Sequence, residues 1–237
     1  MPRLLVVDLA RTAALLGMIL FHLVRDLEIF GLAAPGTTLS GGWAVFARSV
    51  AGSFLFLSGV SLVLAQQGHR RWRNFARRLV VLAGAAAAIS LATFLAVPGQ
   101  YVFFGILHAI AVSSVLALPF LRLPVWMSLG GALLIVLADQ ALTAPPFDAV
   151  WMKWTGLSSA PRPSLDFIPL VPWFAPVLLG VFSARTVAGL QLRPVVPSVS
   201  RWQWQWLAWP GRHSLMIYLL HQPVLLGALW LITRFLP

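Results

Sequence analysis

Few residues in this chain are equipped for chemistry, and they sit in apolar surroundings. Near the start, "DLARTAALLGMILFH" sets Asp8, Arg11 and His22 within a hydrophobic stretch. On a helix of 3.6 residues per turn, Arg11 and His22 fall on one stripe about three turns, or ~16 Å, apart. Asp8 lies one turn before Arg11, within ion-pairing reach, and Leu15 and Met18 fill the stripe between Arg11 and His22. An ionisable group in hydrocarbon costs several kcal/mol unless it faces protein interior or a watery cavity. Their alignment therefore predicts that this face lines a polar conduit. Two plainer readings stand beside it: Asp8 and Arg11 as a structural pair near an interface, and His22 reaching the headgroups from the helix end.

His108 in "FFGILHAIA" and His221 in "SLMIYLLHQP" also lie inside apolar runs. Ser214, Tyr218 and His221, spaced i, i+4 and i+7, make one polar stripe, and the following Pro223 can kink the helix that carries it. A single buried histidine is ordinarily a hydrogen-bonded core residue, but four of the five histidines lie in or at the ends of apolar segments. None has local ligand spacing to another, carboxylates are scarce and cysteine is absent, so no metal is expected. Proton transfer or nucleophilic attack suits these imidazoles better. Asp166 opens "DFIPLVPW" and either caps the helix it precedes or orients or deprotonates an approaching group.

The elements that must position these residues are membrane helices. Of 237 residues 59% are hydrophobic and only 10% charged, with a mean hydropathy of +0.87, far from the composition of a soluble domain. Apolar runs predict an all-α fold of about seven spans: about Leu4–Val24, Trp43–Gln66, Leu79–Val97, Tyr101–Leu121, Val125–Leu142, Ile168–Ala188 and Ser214–Phe235. They fill 1–237 as a single domain. With the N-terminus cytoplasmic, eleven basic residues fall inside, including Arg70, Arg71, Arg73, Arg77, Arg78 and Arg122, against five outside. That bias places the N-terminus inside and the C-terminus outside. The net charge of +11 thus reports orientation and gives no reason to expect nucleic acid. A cleaved signal peptide ending at "GLAA" (31–34) is disfavoured, because Asp8 and Arg11 interrupt its apolar core and Arg25, Asp26 and Glu28 separate that core from the small residues. No internal repeat of the inverted-transporter kind is visible.

Four motifs, "DLARTAALLGMILFH", "FFGILHAIAVSS", "DFIPLVPWFAPVLLG" and "GRHSLMIYLLHQPVLL", resemble in this order the bacterial members of the heparan-α-glucosaminide N-acetyltransferase-like catalytic domain family. Arg11 and His22 also fit the Arg-x10-His pattern of the wider superfamily of transmembrane acyltransferases. The resemblance covers nearly the whole chain. It implies a multi-pass enzyme of the bacterial inner membrane that takes an acetyl group from cytoplasmic acetyl-CoA and passes it to an amine or hydroxyl of an extracytoplasmic glycan or glycolipid. The resemblance is to a lysosomal relative that is longer and has a lumenal domain not expected here, so the lysosomal acceptor is not expected to carry over.

On that reading the CoA phosphates dock on Arg11 with some of Arg70, Arg71, Arg73, Arg77 and Arg78, since guanidinium forks match phosphate geometry. Plain topology also accounts for that arginine run. Asp8, Ser214 and Tyr218 complete the donor-binding candidates. His22 either deprotonates the acceptor or carries the acyl group, while His108, His221 and Asp166 orient groups, relay protons or bind the thioester oxygen. The 143–165 loop is the expected acceptor surface, where Trp151 and Trp154 stack on sugars or anchor the interface; "RWQWQWLAW" (201–209) lies in an interface. A proton-coupled transporter or flippase is the alternative, although it would more naturally use embedded carboxylates, of which only Asp139 is a mid-chain candidate. Membrane lipid surrounds either, and homo-oligomerisation stays open.

Overall fold

The structure, a computed structural model, describes residues 5–66, 71–160, 162–189 and 201–235. Its regular elements among the described residues are helices: α1 (Leu5–Ile29), α2 (Gly41–Ala65), α3 (Arg71–Ala96), α4 (Ile106–Leu116), α5 (Val125–Ala141), α6 (Leu170–Gly189), α7 (Arg201–Leu207), α8 (Trp209–Arg212) and α9 (Ser214–Phe235), joined by short 3-10 turns. Five of them, α1, α2, α3, α6 and α9, are long and apolar enough to cross a bilayer. Large apolar side chains such as Leu16, Leu20, Val80, Leu91, Leu95, Leu134 and Leu231 face outward from their helices, the arrangement that lipid stabilises and water does not. The chain is a multi-pass helical membrane protein.

Two expected spans are shorter. α4 has 11 residues, about 16 Å, half the hydrocarbon thickness. The run expected to begin it at Tyr101 is not helical, because its backbone pairs elsewhere: Leu165 N–H donates to Gln100 O at 2.8 Å and Ile168 N–H to Phe104 O at 3.0 Å. Pro119 lies just past its other end, where it cannot extend the helix. α5 has 17 residues, the lower limit for a crossing. α3, by contrast, begins at Arg71, eight residues before the expected Leu79. Hydropathy marks only where a helix is oily, and arginine favours helix as well as leucine does.

The chain divides into two compact units, Met1–Phe54 with Arg193–Pro237, and Leu55–Leu192. In the first, α1 packs on α7, α8 and α9, and a Schellman cap closes α1. Gly31 there adopts φ +72°, Leu32 N–H reaches Leu27 O at 2.8 Å and Gly31 N–H reaches Glu28 O at 3.1 Å. In the second, α5 packs on α6, α4 on α6 and α3 on α4. The second half of α2 meets α6 through two facing glycines. A Cβ at Gly59 would come within 2.1 Å of Val177 O, and one at Gly180 within 2.1 Å of Phe56 O, so only glycine lets these backbones approach.

Candidate functional site

At the N-terminal end of α1, Asp8 is buried and takes two guanidinium groups, Arg11 Nη1 at 3.1 Å and Arg212 Nε at 3.4 Å. The pair expected between Asp8 and Arg11 is present, with a second cation added from α8. Two cations on one carboxylate leave a net positive charge. Thr12, one turn after Asp8, ties α1 to the α7–α8 corner. Its hydroxyl lies 3.1 Å from Asp8 O and 2.9 Å from Leu207 O as donor, and accepts the Gly211 N–H at 3.0 Å. A Cβ at Gly211 would sit 1.9 Å from Asp8 O, so glycine brings Arg212 onto Asp8.

At the C-terminal end of α1, His22 meets His221 of α9, with ring centroids 4.9 Å apart and planes at 61°. The continuous helix from Ser214 makes the expected stripe real, and Tyr218 packs its ring 5.6 Å from His221. His221 Nδ1 bonds the Tyr218 carbonyl. A carbonyl only accepts, so Nδ1 carries the proton and Nε2 keeps its lone pair. That Nε2 is buried and has no hydrogen-bond partner among the described residues. One turn beyond His22, Gln222 Nε2 donates to Asp26 Oδ1 at 2.8 Å. Arg25 Nη1 donates to Glu28 at 2.8 Å, and Glu28 also takes the backbone N–H groups of Gly36 and Thr38, fastening the turn after α1 beside this cluster.

Between the two ends of α1 the stripe is filled. Leu15 is 1% exposed and Met18 4%. Polar lining on that stripe is therefore confined to its ends, where a conduit along the whole face was expected.

His108 and Asp166 belong to the second unit and form a cluster of their own. Gly105 N–H donates to His108 Nδ1 at 3.2 Å, which puts the ring proton on Nε2, 3.3 Å from Ser90 Oγ. Ser90 passes its own proton on to Val102 O at 2.6 Å. Both nitrogens of His108 are thus engaged. Asp166 Oδ2 accepts the Ile106 N–H at 2.9 Å, capping α4 and not the α6 that it precedes. Burial pushes its carboxyl up to about 6, against the pull of that hydrogen bond. Phe104 packs between His108 and Trp154, with centroids at 5.7 and 5.6 Å, and Trp151 is exposed. Further along the loop, Asp148 accepts from Ser158, Ser159 and Ala160, and these bonds hold its carboxyl at about 2.

Of the other expected donor-binding residues, Arg71, Arg73 and Arg77 are exposed on the first turns of α3, Arg78 and Ser214 are half-buried, and Arg70 lies outside the described residues. Among the described residues no three His, Asp or Glu side chains converge as a metal would require. Sequence reasoning missed Arg212, Asp26 and Gln222. Each had a signal: Arg212 stands in "GRHSLM", Gln222 follows His221, and Asp26 is four residues from His22 and so shares its face.

These features define a class, a multi-pass helical membrane protein with two imidazoles apposed on two of its spans and a cationic cluster three turns away. The chain belongs to the family described as heparan-alpha-glucosaminide N-acetyltransferase, catalytic, which it matches over residues 3–223. It is thereby a membrane acetyltransferase domain. No curated protein matches it, and no solved structure does.

Proposed function

We propose that the protein moves an acetyl group from cytoplasmic acetyl-CoA to an amine or hydroxyl of an extracytoplasmic glycan or glycolipid, and that it does so in a bacterial inner membrane. The observation that carries this reading is the contact of His22 with His221, whose Nε2 presents an open lone pair. The acceptor X–H gives its proton to His221 Nε2 while X attacks the thioester carbonyl carbon. The C–X bond forms and the C–S bond breaks. The CoA thiolate leaves and takes the proton from the imidazolium, so that acyl-X and CoA-SH account for all atoms. His22, against which His221 packs, is the imidazole that meets the thioester.

The phosphates of CoA sit at the Asp8–Arg11–Arg212 cluster, whose guanidinium forks match phosphate geometry. The distance from Arg11 to His22, ~16 Å along α1, suits an extended pantetheine arm. Leu15 and Met18 close the direct line, so an arm that runs along this face has to displace both side chains. With both nitrogens of His108 occupied, its role and that of Asp166 is to hold α4 and the 101–105 segment in place.

Purified protein in detergent, given radiolabelled acetyl-CoA and a glucosamine glycoside, tests this. Wild type should release CoA and label the acceptor; His22→Ala and His221→Ala should each cut the rate by about 10²- to 10⁴-fold. Wild-type rates in both variants would end the proposal.

A further inference from the structure

We propose that Asp26 is the residue that docks the acceptor's attacking group and selects a primary amine over a hydroxyl; this rests on the acetyl-transfer reading above. Asp26 is 0% exposed. One of its oxygens is satisfied by Gln222, but Oδ2 is buried and unpartnered among the described residues, as are Gln222 Oε1 and His221 Nε2. All three atoms are able to accept. Deeply buried polar atoms ordinarily find partners, so three open acceptors gathered on facing turns of α1 and α9 call for a ligand rich in donors. Among the described residues no cation pairs directly with Asp26: the neighbouring Arg25 makes its ion pair with Glu28 at 2.8 Å and reaches Asp26 only through its field.

The valence of the attacking atom decides which donor fits. His22 and Asp26 are one turn apart on α1, and the residues they meet, His221 and Gln222, are adjacent on α9. A primary amine carries at least two N–H groups. It can place one on Asp26 Oδ2, fixing its position, and still hand another to His221 Nε2. A hydroxyl carries one hydrogen on its attacking oxygen and can satisfy only one of the two. Asp26 is therefore a positioning and specificity residue, and Gln222 holds it in place.

The test uses the full chain in detergent, acetyl-CoA, and two probes, methyl β-glucosaminide and methyl β-glucoside. In Asp26→Asn, which keeps the shape but turns an acceptor into a donor, kcat/KM for the aminoglycoside should fall about 10- to 100-fold. The KM for acetyl-CoA should stay at its wild-type value, and the preference for the aminoglycoside over the glucoside should shrink by the same factor. Thermal shift supplies a reading that needs no turnover: methyl β-glucosaminide should stabilise wild type and not Asp26→Asn. Wild-type selectivity and an undiminished shift in Asp26→Asn overturn the assignment of Asp26 alone. A wild type that binds the aminoglycoside yet never uses acetyl-CoA overturns the transfer reading instead.

Discussion

At the scale of single residues, the tautomer of His221 matters more than its presence, because the Tyr218 carbonyl leaves Nε2 no choice but to accept. Asp166 is governed instead by its burial, which outweighs the pull of its backbone partner Ile106, and the consequence can be measured. Its folded carboxyl titrates near 6 against 3.8 for the ordinary group. Between those values the native protein keeps a proton that the unfolded chain has released, so stability falls as pH rises through the window and levels off above about 6. The difference amounts to at most about 3 kcal/mol, less where solvent screens the group. Asp166→Asn should remove that slope while still accepting from Ile106. Unfolding midpoints of wild type and variant that run parallel from pH 4 to 7 would show that Asp166 does not titrate as assigned. Arg11, His22 and the α9 stripe were legible from spacing alone, because helical periodicity survives without tertiary context. Asp26 was not, since a charge near a helix end reads first as a flank, and only the approach of Gln222 from 196 positions away gives it a site.

At the scale of elements, hydropathy found every long helix and misjudged the short one. The 101–121 run is apolar enough to span, yet the pairing of Gln100 and Phe104 with the 165–168 segment takes the first of these residues out of the helix, a non-local competition that no window average contains. The crossing of α2 on α6 was equally hidden, because a glycine among apolar residues carries no label of what approaches it. Its energetics are open to test. Gly59→Ala and Gly180→Ala each drive a methyl into a carbonyl about 2.1 Å away, and each should cost about 1–3 kcal/mol of stability in detergent unfolding, as overpacking does. The double variant should cost less than the sum, because helices parted by one methyl already make room for the other. Strict additivity would mean that the two glycines do not share one crossing.

At the scale of the whole molecule, the question is which faces of the membrane the two ends of the reaction occupy. The lack of native cysteine makes single introduced thiols unambiguous reporters. The proposed reaction needs the Asp8–Arg11–Arg212 cluster on the CoA side and the C-terminal end of α1 on the opposite one. The distribution of arginine predicts that arrangement by the positive-inside rule. Arg73→Cys should therefore react with a membrane-impermeant maleimide only from the cytoplasmic side, and Lys153→Cys only from outside. Arg122→Cys, between α4 and α5, settles what the 11 residues of α4 leave undecided. Labelling from the cytoplasm means that α4, with its non-helical flanks, and α5 both cross. Labelling from outside means that neither does. Two crossings or none preserve the parity of every other segment, so the sides of residues 73 and 153 do not depend on that answer. Labelling of both 73 and 153 from one face would break the topology itself, and with it the idea that donor and acceptor meet from opposite sides.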